Sequence, residues 1–186
     1  VRLASGRFPP HKSSGQPIGQ GKRQVKSVTK LGWIAYGLAI GVVLLDQASK
    51  FWVLNVLRLP DLTTLPVAGP LHLTMVWNRG VSFGLLRADQ DLIRWALTAF
   101  SLGVATWLVT WARTTDRPMM GYGLGLVIGG AVGNAIDRIR FGAVVDFFDV
   151  SRLYFPWVFN VADSAITLGV VLLLLDLTRS EQTTPA

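Results

Sequence analysis

Cysteine is absent from the chain, which removes a disulfide framework, a thiolate metal site and a cysteine nucleophile together. Histidine is nearly absent too, because His11 and His72 are too few and too far apart to form a histidine metal site. Charge is scarce: 16% of residues are charged against 51% hydrophobic, too little polar surface for the water-facing shell of a soluble domain. Acidic residues are missing from residues 1–30, which carry Arg2, Arg7, Lys12, Lys22, Arg23, Lys26 and Lys30. The remainder holds eleven basic and eleven acidic residues, so the whole formal charge of +7 sits in that tail.

The tail is rich in Gly, Ser, Pro and Gln, a composition that buries no core and is expected to be disordered. A nucleic-acid arm would interleave aromatics with its basic residues, and here only Phe8 does so, so no nucleic-acid partner is expected. The tail reads instead as a cytoplasmic topology signal that also touches anionic membrane lipid.

What is present is long apolar sequence. Stretches near twenty residues are long enough to cross a bilayer as helices. Four are expected, at about 31–54, 92–112, 119–139 and 158–175, within a membrane domain of residues 31–178 that is followed by a cytoplasmic tail, 179–186. The third is rich in glycine, from Gly121 to Gly133, and small residues let helices approach closely in lipid. The basic tail places the N-terminus in the cytoplasm, and four crossings return the C-terminus to the same side. The connections at about 55–91 and 140–157 then lie outside.

The first outer connection has order of its own. Leu71, Leu73, Met75 and Trp77 alternate with His72, Thr74, Val76 and Asn78, the period of a half-buried strand. Asn78-Arg79-Gly80 is suited to a turn, and Val81–Leu86 to a returning strand, so a small extracytoplasmic β-sheet is expected on an otherwise all-α membrane protein.

Ionisable groups inside membrane segments are costly and are functional candidates by default. Asp46 and Lys50 lie at the outer end of the first span, and Asn134, Asp137 and Arg138 at the outer end of the third. Asn160 and Asp163 open the fourth, and Asp146 lies in the connection before it. Taken singly, each has a structural explanation. Asn160 caps a helix with Asp163 at its third position, Asp137 and Arg138 form an interfacial ion pair, and Lys50 snorkels. Their joint arrival at one membrane face favours a site. A serine–lysine pair would have to rely on Lys50 alone, whereas two carboxylates that share a proton activate water and polarise a carbonyl.

Sequence boxes carry a family resemblance as well. Leu45–Lys50, Asn78–Phe83, Gly129–Arg138, Val144–Phe147 and Phe159–Ser164 resemble, in this order, the five boxes of the lipoprotein signal peptidases, or signal peptidase II. The third box fits Gly-Gly-x-x-Gly-Asn-x-x-Asp-Arg without a mismatch, and the resemblance covers about residues 31–177. It implies that Asp146 and Asp163 are a catalytic aspartyl pair. It implies that Asn78, Asn134, Arg138 and Asn160 line the substrate site, supported by Asp46, Lys50 and Asp137. Gly80 is added from its own chemistry, because the missing side chain permits the turn and a close approach of substrate backbone. The resemblance further implies an endopeptidase of the bacterial plasma membrane that removes the signal peptide from diacylglyceryl-modified prolipoproteins, just before the lipidated cysteine. No metal and no cofactor is expected.

Two other classes use intramembrane acids. A small transporter would carry them near the midplane, on broken helices with internal repeats, and no repeat is visible here. A non-catalytic scaffold would leave the paired carboxylates unexplained.

Overall fold

The computed structural model describes residues 27–80, 90–153 and 157–181. Most of the basic tail and the expected strand Val81–Leu86 lie outside these residues. Along the chain run α1 (Lys30–Phe51), α2 (Leu59–Leu62), β1 (Thr64–Ala68), β2 (Leu71–Asn78), α3 (Gln90–Ala112), α4 (Pro118–Phe141), β3 (Val144–Asp149), β4 (Val158–Phe159) and α5 (Val161–Glu181). Among the described residues, α1, α3, α4 and α5 are long and apolar enough to cross a membrane. The architecture is the expected one, a helical membrane protein with a small antiparallel sheet.

Helix α4 is the central post. Its apolar stretch is 67% buried, against 28% or less in the other three helices, because glycines on two of its faces let neighbours close in. A Cβ at Gly129 would lie 2.7 Å from Ala39 O of α1, and one at Gly130 would lie 2.4 Å from Ala162 O of α5. Adjacent residues on a helix point about 100° apart, so one glycine pair serves two contacts. Pro118 opens α4 at a position where no backbone donor is needed, and Gly142, at φ +75°, ends it in the left-handed conformation. Ala35, Ala39, Leu108, Ala112, Leu124, Val127 and Ile128 form the core among α1, α3 and α4.

At one end of the bundle the described residues form a four-stranded antiparallel sheet in the order β1-β2-β3-β4. Val53, Leu59, Leu73, Val145 and Phe147 form a second apolar core beneath it. Helix α1 reaches this layer because its helical path continues through a wider turn at Trp52–Val56.

Helix α5 begins at Val161, because Val158 and Phe159 pair with Asp149 and Phe148 as a strand, and it runs to Glu181. One expectation is corrected. Strand β2 does not alternate cleanly: His72 and Leu73 are both buried, while Leu71 and Trp77 are exposed. It is an inner strand, flanked by β1 and β3, so its burial reflects two neighbours and a core instead of one wet face.

Candidate active site

The sheet end of the bundle gathers every polar residue singled out above, and it begins with charge pairing inside α1. Asp46 and Lys50 are four residues apart and share a helix face, with Lys50 Nζ 2.8 Å from Asp46 Oδ2. The same ammonium lies 2.7 Å from Asp137 Oδ2 of α4. All three side chains are buried, at 0–2% exposure, and a buried charge survives only when paired and hydrogen-bonded. The carboxylates meet that demand. Asp46 Oδ1 accepts from Ala162 N at 3.0 Å, and Asp137 Oδ2 accepts from Val145 N at 3.0 Å. One cation and two anions thereby fasten α1 and α4 to the starts of α5 and β3. Gly133 makes room for them, since a Cβ there would lie 2.6 Å from Asp46 Oδ2.

Asn160 and Asp163 do cap α5, and they do so reciprocally. Asp163 N donates to Asn160 Oδ1 at 2.9 Å, and Asn160 N donates to Asp163 Oδ2 at 3.3 Å. This is the capping-box spacing, which satisfies two backbone donors at the helix start. The other Asp163 oxygen, Oδ1, accepts from Asn134 Nδ2 of α4 at 2.8 Å.

Asp146 arrives from the sheet. Along β3 the side chains alternate, so Val145 and Phe147 enter the lower core while Asp146 faces the other way, toward α5. Its Oδ1 accepts from Asn160 Nδ2 at 2.7 Å, and its Oδ2 from Asn78 Nδ2 at 2.9 Å. Asn78 is paired across the sheet with Val144, and its side chain reaches the diagonal neighbour on the same face. Asn160 therefore touches both carboxylates, donating to Asp146 Oδ1 from its side-chain amide and to Asp163 Oδ2 from its backbone N–H. Burial pushes the Asp146 carboxyl up to about 6; the Asn78 hydrogen bond opposes this rise and the Asp163 charge adds to it. Asp149, three residues on, goes the other way, because a 2.6 Å bond from the Thr74 hydroxyl holds it below the usual carboxylate range.

Asn78-Arg79-Gly80 is the expected turn. Gly80 N donates to Asn78 Oδ1 at 2.8 Å, and Gly80 has φ +82°. Arg138 is half-buried, and among the described residues its guanidinium makes one long hydrogen bond, to Asn134 O at 3.5 Å. The ion pair considered for Asp137 and Arg138 is not the one formed, because Asp137 takes Lys50 instead. Among the described residues no group of three or more His, Asp or Glu is arranged to hold a metal.

Two contributors escaped the sequence reading. Gln47 Nε2 donates to Asp137 Oδ1 at 3.0 Å and to Asp46 Oδ2 at 3.2 Å; its polarity beside Asp46 in an apolar span was the available signal. Arg94 of α3 donates to the last carbonyls of α4, Arg138 O at 2.7 Å and Ile139 O at 2.8 Å. A lone arginine at the start of an apolar helix hinted at such a cap.

Three apolar helices around a glycine-lined fourth, with carboxylates gathered at the end that carries a small sheet, define the class of a multi-pass membrane enzyme. Solved structures agree with that class. Two described as bacterial membrane enzymes, determined by the in meso method at 2.3 and 1.9 Å resolution, superpose with TM-scores of 0.70 and 0.68. They are 26% and 28% identical, and the matches cover 86% and 81% of this chain and 96% of each of theirs. The family profile described as signal peptidase (SPase) II matches residues 38–179. The lipoprotein signal peptidase of Caulobacter vibrioides is 56% identical over 157 residues, 84% of this chain and 93% of its own. That of Methylorubrum extorquens is 42% identical over 148 residues, 79% of this chain and 86% of its own. The chain belongs to the signal peptidase II family and is a membrane protease.

Proposed function

We propose that the protein is an aspartyl endopeptidase that removes the signal peptide from diacylglyceryl-modified prolipoproteins, cutting before the lipidated cysteine. The observation that carries this reading is the Asn160 bridge between Asp146 and the start of the helix that bears Asp163. In the proposed cycle Asp146 holds the shared proton, consistent with its carboxyl lying near 6, and Asp163 works as the carboxylate. Asp163 takes a proton from water as the oxygen attacks the scissile carbonyl, and Asp146 gives its proton to the carbonyl oxygen. On collapse of the tetrahedral diol, Asp163 passes its proton to the leaving amine. Asp146 recovers a proton from the diol hydroxyl, which restores the starting state.

Asn78, Gly80, Asn134, Arg138 and Asn160 are assigned to substrate. The Arg138 donors that make no bond among the described residues suit peptide carbonyls, and the Asn78–Gly80 turn lets an extended backbone approach. Asp46, Lys50 and Asp137 support the site from below. In the proposed orientation both termini are cytoplasmic, and the sheet end lies at the extracytoplasmic face of the bacterial plasma membrane, where the bond to be cut emerges from lipid. The deciding experiment is cleavage of a diacylglyceryl-modified prolipoprotein in detergent by the parent, Asp146→Asn and Asp163→Asn. Turnover by the parent alone supports the reading. Substantial turnover by either variant removes that residue from the pair.

A further inference from the structure

Asp163 has two surroundings. One side faces the asparagines described above, and the other opens on a cavity of about 570 Å³ between β4 and α5. Trp157, Phe159, Asp163, Thr167, Leu168 and Val171 line it. The α5 side of the lining is graded, whereas Trp157, Val158 and Phe159 ahead of that helix are apolar. Polar groups lie in the first turns of α5, whereas Leu168 and Val171, further along the helix, are apolar.

Thr167 breaks a local rule. Helical threonine hydroxyls in apolar segments ordinarily bond back to a carbonyl one turn earlier. Thr98, Thr106, Thr110 and Thr178 all do so here, at 2.7–3.0 Å. Ser164, on the same cavity, bonds Asn160 O at 3.0 Å. Among the described residues the Thr167 hydroxyl has no partner and is exposed into the cavity. In lipid an unpaired hydroxyl is costly, so a ligand acceptor at this point would be bound with gain.

We propose that this cavity is the subsite for the glyceryl ester and one acyl chain of the substrate, with Thr167 donating to an ester carbonyl. The inference rests on the protease reading above. Thr167 lies one helical turn beyond Asp163, about 6 Å along the axis. The same order runs through the substrate: scissile amide, cysteine side chain, thioether, glyceryl ester, then hydrocarbon. The polar-to-apolar grade of the α5 wall follows that order, and a bare hydrocarbon occupant would have no use for the hydroxyl.

The test compares two synthetic prolipoprotein peptides in the same micelles, one with ester-linked chains and one with ether-linked chains that lack the carbonyls. KM and kcat are measured for the parent, Thr167→Val and Thr167→Ser, with thermal unfolding to establish that each is folded. One net hydrogen bond is worth about three- to tenfold. The parent is expected to favour the ester in KM by that factor, and Thr167→Val to erase the preference by raising the ester KM alone, with kcat little moved. Thr167→Ser is expected to retain it. Val171→Trp, which fills the deep end, should penalise long chains more than short ones. Equal KM values for ester and ether in both parent and Thr167→Val would mean that the cavity holds only bulk lipid, and would overturn the subsite while the protease reading stands. A parent that cleaves neither peptide would overturn both.

Discussion

The Lys50 ammonium lies 2.7 Å from Asp137 Oδ2 with both side chains buried, so one ion pair joins the end of α1 to the end of α4. Asp46 completes the group at 2.8 Å. Removing one member of a buried ion group strands the others, at a cost of about 3–5 kcal/mol. Lys50→Met is therefore expected to lower the thermal midpoint in detergent sharply. Adding Asp46→Asn and Asp137→Asn to Lys50→Met should recover part of that loss. Asp137→Asn alone should lose stability as well as activity. Unchanged unfolding with abolished cleavage would instead assign Asp137 to the chemistry.

On the proposed mechanism, Asp146→Asn and Asp163→Asn each remove a proton carrier and leave the packing in place. Each is expected to lower kcat by at least about a hundredfold and to remain folded, measured by cleavage and unfolding on the same preparations. Asp163→Asn keeps an oxygen that can accept from Asn160 N or Asn134 Nδ2, so its cap should largely survive.

Burial raises the Asp146 carboxyl to about 6 from an ordinary 3.8, which fixes two pH dependences. The folded state binds this proton more tightly than the unfolded state, so the linked stability is fully present below about 3.8 and is lost as pH rises through about 6. The thermal midpoint of the parent should fall across that window, and Asp146→Asn should flatten the fall. If Asp146 holds the catalytic proton, kcat/KM should turn down on the alkaline side with an apparent value that belongs to the pair. A kcat/KM rising steadily through pH 8 would move the proton elsewhere.

Asn78 Nδ2 donates to Asp146 Oδ2 at 2.9 Å, and Gly80 closes the turn at φ +82°. Asn78→Ala is expected to weaken binding of a peptide inhibitor without unfolding the bundle. Gly80→Val should be worse, because a branched residue is strained at that φ. Equal inhibitor affinity in parent and Asn78→Ala, in one detergent, would reduce the turn to a connection.

Much of the protein is legible along the chain because its signals are local. Apolar length marks the four helices. The three-residue interval from Asn160 to Asp163 matches a helix cap whatever surrounds it, and Asn78-Arg-Gly marks a turn. Tertiary structure decided what depends on partners distant in sequence. Val-Val-Asp-Phe-Phe-Asp at 144–149 is buried for four residues running, so no alternation announces a strand, and only its register with β2 turns Asp146 toward Asn160. Asp137 has Arg138 beside it in the chain, yet it pairs with Lys50, because successive helical residues diverge by about 100° while the α1–α4 contact brings Lys50 onto its face. Local sequence marks which polar residues gather and at which end of the bundle they do so. Register and helix packing alone decided who touches whom, since each is a choice among long-range pairings that local sequence leaves open.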